Sequence, residues 1–144
     1  MKQPSKRITF LSIIHSELEI PLASSGAKAG FPSPAGDYIE ESIDLNKFVI
    51  KNKSATFYAR VDGSSMEPIL RDGDLIVIDR SLTPSSNDIV LCYIDGDFTV
   101  KTVQKTPNAI YLIPANPAYD PIEVTRDNNF IVWGVITFSI RKHR

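Results

Sequence analysis

From residue 56 onward the apolar positions come in short runs rich in Val, Ile, Tyr and Phe, set apart by Gly, Asp, Asn and Pro. The runs are Thr56–Val61, Leu75–Asp79, Ile89–Ile94, Phe98–Gln104, Ile110–Pro114 and Phe130–Ile140, with Glu123-Val124 as a fragment. Runs of this length and composition, bounded by turn formers, predict strands. Their succession predicts a mainly β fold, a compact antiparallel β sandwich or partly open barrel. Asp95-Gly96-Asp97 predicts the hairpin between the third and fourth strands, since Asp-Gly tolerates the backbone angles of a tight turn. Ahead of the strands, Asp44 is placed to cap a short helical turn over Leu45 to Ile50.

The first third of the chain has a different texture. Leu11, Ile14 and Leu18 fall at helical spacing, but Ile8 to Ile20 reads equally as an extended segment, and Pro21 is expected to end either. Leu22 to Gly36 is dominated by small residues, Gly and Pro. It offers little apolar surface to offset the entropy of ordering, which predicts a flexible or extended segment open to proteolysis. Composition alone favours a linker over a processing site. Asp37 to Glu41 reads as a solvated acidic cluster.

Composition narrows the class. The chain has 144 residues, enough for one domain with a real core plus a tail. A net charge of −1 supplies no general attraction for nucleic acid, so no direct specific DNA binding is expected. The single Cys92 excludes an internal disulfide framework and fits a reducing compartment. Its apolar neighbours Ile89, Val90, Leu91 and Ile94 predict that it packs as a small core residue. No apolar run is long enough for a membrane span. Lys2, Lys6 and Arg7 before Ile8–Ile14 imitate a secretory leader, but the apolar part is short and His15, Glu17 and Glu19 follow it. The expectation is a cytoplasmic protein.

Candidate chemistry centres on Val61-Asp62-Gly63-Ser64-Ser65-Met66-Glu67-Pro68. A glycine and two serines at a strand end make a turn that can present a hydroxyl. A serine nucleophile needs a base. The two histidines, His15 and His143, both fall outside the predicted core, which argues against a Ser-His-Asp triad and, with one cysteine, against a zinc site. Asp72-Gly73-Asp74 opens like a calcium loop but lacks the later Glu, and is expected to be a turn. No cofactor motif is present. Lys101 remains, inside the strand Asp97 to Val103, where alternation puts Thr99, Lys101 and Val103 on one face. Taken alone, that strand favours a lysine reaching out to water. To act as a base it must be neutral, which means lowering a pKa of about 10.4 by roughly 2–3 units, about 3–4 kcal/mol against the ammonium.

Three stretches in order and register resemble the autoproteolytic family of LexA repressors and UmuD, the accessory subunit of translesion DNA polymerase V. They are Ala29-Gly30-Phe31-Pro32-Ser33-Pro34-Ala35, Gly63-Ser64-Ser65-Met66 followed by Asp72-Gly73-Asp74, and Phe98-Thr99-Val100-Lys101. The resemblance runs from about Gly26 to the C-terminus, and Gly30 to Ala35 is close to UmuD. It implies a LexA-like peptidase fold, with a cleavable arm over residues 1–29 and a Ser-Lys dyad peptidase-like β domain over 30–144. It implies Ser65 as nucleophile, Lys101 as general base, Ala29-Gly30 as the scissile bond, and the Ser64 and Ser65 N–H groups as oxyanion hole. It implies a homodimer whose self-cleavage in the SOS DNA-damage response is stimulated by a RecA filament on single-stranded DNA. The processed form would then join a UmuC-like Y-family DNA polymerase. Ser64 departs from the residues found before the nucleophile in relatives. Two other readings are a non-catalytic β interaction module and a LexA- or phage-type repressor. The repressor needs a DNA-binding domain that 29 residues are too few to form, and a related signal peptidase needs a membrane anchor.

Overall fold

The computed structural model describes residues 9–11, 18–23 and 39–144. They fall into two compact units, one of residues 9–11 with residues 52–144 and the other within residues 14–51.

The larger unit is one antiparallel sheet. Its strands are β1 (Thr9–Leu11), β4 (Thr56–Arg60), β5 (Leu75–Asp79), β6 (Ile89–Ile94), β7 (Asp97–Lys105), β8 (Ile110–Ile113), β9 (Ile122–Val124) and β10 (Phe130–Ile140). Their order across the sheet is β1-β4-β5-β10-β6-β7-β8-β9. The mainly β, antiparallel fold is the one expected, and with β1 and β9 at separate edges it is the open form. Pairing across β6–β7 sets two apolar clusters on opposite faces. Leu91 and Val100, directly opposite one another, join Ala59, Val61, Met66, Leu70, Ile76 and Ile78 in the first. Val90, Cys92 and Val103 join Leu112 and Val135 in the second. The β6–β7 turn is the expected Asp-Gly hairpin, with φ of +47° at Asp95 and +95° at Gly96.

β10 lies between β5 and β6 and is irregular against both, with shifts in register at 136/138 and 132/134. Gly134, at the second shift, sits where a side chain would clash. A Cβ on Gly134 would stand 2.5 Å from Ile78 Cγ2 and 3.3 Å from Arg80 Cγ. The strand passes over the core where no side chain fits.

The smaller unit pairs β2 (Glu19–Ala23) with β3 (Ile39–Asp44) and continues into α1 (Leu45–Val49). Here one sequence expectation fails: Pro21 does not end the segment but sits within β2 opposite Ser42. Glu40-Glu41 of the acidic cluster belong to a strand. Both strands of a two-stranded ribbon are edges, so the missing proline N–H need not break a ladder. The cap is as expected, with Asp44 Oδ1 accepting from Asn46 N at 3.0 Å.

The Asp72-Gly73-Asp74 segment is a turn with φ of +86° at Gly73. It is fastened to the chain's end. Arg141, just past β10, donates to buried Asp74 through Nε (2.8 Å to Oδ1) and Nη2 (2.6 Å to Oδ2). Asp74 also accepts from Arg71 N at 2.8 Å. The Arg141 hydrogen bonds hold the Asp74 carboxyl below the usual carboxylate range, against an opposing effect of burial.

Gly134→Ala should cost about 1–3 kcal/mol, the usual penalty for forcing atoms into a packed core. Denaturant unfolding at unchanged slope is the measurement. For Arg141→Gln the pH dependence carries the sign. A depressed Asp74 pKa adds stability above the unfolded value of about 3.9, and that stability is lost as pH falls through the folded value. The stability gap between wild type and Arg141→Gln should be full near neutrality and close on acidification below about pH 4. A gap that is flat across acid titration would contradict this.

Candidate active site

The turn after β4 is held by main-chain bonds on its outer side. Val61 N donates to Asp74 O (2.8 Å), and Gly73 N to Val61 O (2.8 Å). Gly63, at φ +106°, donates its N–H to Asp72 Oδ1 at 2.7 Å. A left-handed residue is needed there to turn the chain back, which is why glycine occupies it. Met66 and Leu70, both 2% exposed, anchor the turn in the first core cluster, and Leu70 N donates to Met66 O at 2.9 Å. Ser65 is thus suspended between a glycine hinge and a hydrophobic anchor.

Lys101 comes from β7 and is 7% exposed. The surface position favoured by the strand pattern alone is therefore corrected. Val90 stands opposite Lys101 across the β6–β7 ladder. The side chain turns to polar partners within the protein instead of to water. Nζ lies 2.7 Å from Thr99 Oγ1, 3.1 Å from Val100 O and 3.1 Å from Ser65 Oγ. Residues 36 apart in sequence thereby share a hydrogen bond. Thr99 is on the lysine's own face, two residues back.

Ser64 also has a definite place. Its hydroxyl is 2.9 Å from Tyr119 Oη. Its carbonyl accepts from Asn116 Nδ2 at 3.0 Å and from Glu67 N at 3.1 Å, and the Ser65 carbonyl accepts from Asn116 N at 3.0 Å. Asn116 and Tyr119 lie in the loop between β8 and β9 and escaped the sequence reading. The only local signal is the stiff, proline-studded run Pro114-Ala115-Asn116-Pro117-Ala118-Tyr119-Asp120-Pro121. Among the described residues, nothing accepts from the Ser64 or Ser65 N–H groups.

Beside Ser65 is a cleft of about 40 Å³, whose apolar walls include Val61, Met66, Phe98 and Val100. Ala29 and Gly30 lie outside the described residues, as does His15. His143 is exposed in the tail beyond β10. No group of three or more His, Cys, Asp or Glu side chains among the described residues is arranged to hold a metal ion. No described helix is long and apolar enough to cross a membrane. Cys92 is fully buried, and burial pushes its thiol up to about 11 against the opposing charge of Lys101.

These elements are close enough for proton transfer between a hydroxyl and an amine, beside a small apolar recess. A family model described as Peptidase S24-like matches residues 21–137. Protein SamA of Salmonella typhimurium is 44% identical over 125 residues, covering 86% of each chain. Protein MucA of Escherichia coli is 40% identical over 134 residues, covering 92% of this chain and 89% of the relative. Protein ImpA of Shigella flexneri is 38% identical over 131 residues, covering 86% and 85%. The chain belongs to the Peptidase S24-like family, and within it the UmuD-like character read from its motifs stands.

Proposed function

We propose that this chain is a self-processing, UmuD-like protein of SOS mutagenesis, cut at Ala29-Gly30 by Ser65 with Lys101 as its base. The observation that carries the reading is the 3.1 Å approach of Lys101 Nζ to Ser65 Oγ in a chain of this family. The bonding fits both protonation states. A neutral amine has two N–H groups and one lone pair. Thr99 Oγ1 and the Val100 carbonyl can take the two N–H groups, which leaves the lone pair facing the Ser65 hydroxyl. Once protonated, the same nitrogen donates to all three oxygens.

The steps follow. Lys101 takes the Ser65 proton as Oγ bonds to the Ala29 carbonyl carbon. The negative charge on the carbonyl oxygen meets the Ser64 and Ser65 N–H groups, a type of stabilisation worth about 3–4 kcal/mol per donor. Collapse breaks the Ala29–Gly30 C–N bond, and the Lys101 ammonium protonates the leaving Gly30 amine. Lys101 then deprotonates a water that attacks the Ala29–Ser65 ester. The Ala29 carboxylate leaves and the Ser65 hydroxyl is restored. A recess of about 40 Å³ suits a methyl side chain at position 29.

Processing removes residues 1–29 and leaves 30–144. With the arm go β1, which pairs with β4, and β2, which pairs with β3. As family partners, the protein takes a second copy of itself, a RecA filament on single-stranded DNA that stimulates the cut, and a UmuC-like polymerase that receives the processed form.

Purified protein incubated across the pH range should generate a new Gly30 N-terminus, read by mass spectrometry. The rate should rise with pH, about tenfold per unit below the Lys101 pKa, and then level off. A rate equal at acid and alkaline pH would remove Lys101 as base. Ser65→Ala and Lys101→Ala should each fold and slow the cut at least ~10³-fold.

A further inference from the structure

Building on the proposed Ser65–Lys101 chemistry, we infer that Asn116 is a positioning residue that aims the oxyanion-binding backbone of the nucleophile turn. In a trans peptide the C=O and the following N–H point in opposite directions within one plane. Whatever holds the Ser64 carbonyl therefore orients the Ser65 N–H, and whatever holds the Ser65 carbonyl orients the Met66 N–H. Asn116 reaches both carbonyls, the first through Nδ2 (3.0 Å), shared there with Glu67 N (3.1 Å), and the second through its backbone N–H (3.0 Å).

The Asn116 amide is itself oriented. Its Oδ1 accepts from Ala118 N at 2.9 Å, so the opposite end of the amide, Nδ2, is the one that reaches Ser64. The carbonyl of Asn116 accepts from Tyr119 N at 3.1 Å, which closes the loop on itself. Ala115, the preceding residue, packs against the cluster that contains Met66 and Val61. The loop is therefore docked on the core that anchors the nucleophile turn. Its Tyr119 hydroxyl meets Ser64 Oγ at 2.9 Å. The Ser65 N–H, by contrast, has no acceptor among the described residues. Asn116 orients a donor that the fold leaves for a ligand.

Preorganised donors act only when aimed at the developing charge, and a displacement of about 1 Å costs ~10²-fold in rate. Asn116→Leu keeps roughly the size of the side chain and removes both its polar atoms. Asn116→Ser is too short to reach the Ser64 carbonyl but keeps a hydroxyl near Ala118 N, and serves if the leucine variant does not fold. Both are neutral, so neither adds charge near Lys101.

The test follows self-cleavage of the full chain across pH, together with the Ser65 amide resonance in ¹⁵N-labelled protein. The expected result is a high-pH plateau lowered about 10²-fold, an unmoved midpoint of the pH profile and a shifted Ser65 amide. Loosening of the fold around the lysine would instead move the midpoint, and that result overturns the inference. So does a plateau within about threefold of wild type, or an unmoved Ser65 amide. If the wild type fails to cut itself at any pH, the dyad reading falls, while the amide shift still decides whether Asn116 orients this peptide.

Discussion

An amine carried into a β-sheet at 7% exposure must find its hydrogen bonds inside the protein, because an unsatisfied buried cation costs several kcal/mol. The local architecture around Lys101 meets this requirement. β7 supplies Thr99 on the same face, and the Val100 carbonyl lies within reach. The remaining oxygen comes from another element, the turn after β4. Satisfying the lysine and placing the serine hydroxyl beside it are in this sense one arrangement. The same arrangement brings the Ser65 hydroxyl to 3.1 Å from the lysine nitrogen.

The turn is gripped from two sides. The segment 71–74 hydrogen-bonds Val61 and Gly63, and is itself fixed by Arg141 through Asp74. The loop between β8 and β9 grips Ser64 and Ser65. Met66 and Leu70 secure the base of the turn by burial. A reactive group held by long-range contacts on a sheet keeps its geometry better than one borne by a free loop. The glycines at 63 and 73 contribute left-handed backbone at the two places where the chain must fold back.

The larger strands were legible because their residue types and their turns agree. Leu75–Asp79, Ile89–Ile94 and Phe130–Ile140 coincide with β5, β6 and β10. The ribbon of β2 and β3 was not, since a proline and paired glutamates speak against strands unless both strands are edges. Ser65 was visible as a displayed hydroxyl, but Lys101 only through the family pattern. Strand alternation does not tell a lysine that turns inward from one that turns out. Asn116 was beyond reach for a further reason. Its side-chain partner Ser64 lies 52 residues away, in a segment with no periodicity, and no local preference encodes such a meeting. Ser64 was obscure because its hydroxyl partner, Tyr119, belongs to that same loop.

Cys92, the chain's one sulfhydryl, faces Thr99 across the β6–β7 ladder. With the thiol pushed up to about 11 by burial, it stays un-ionised near neutral pH. A reagent can reach this sulfur only when β6 separates from β7 or its cover lifts. The same opening dismantles the environment of the lysine amine. Thiol modification kinetics thus form a clock for opening of the sheet and of the apolar cluster that covers β6 and β7.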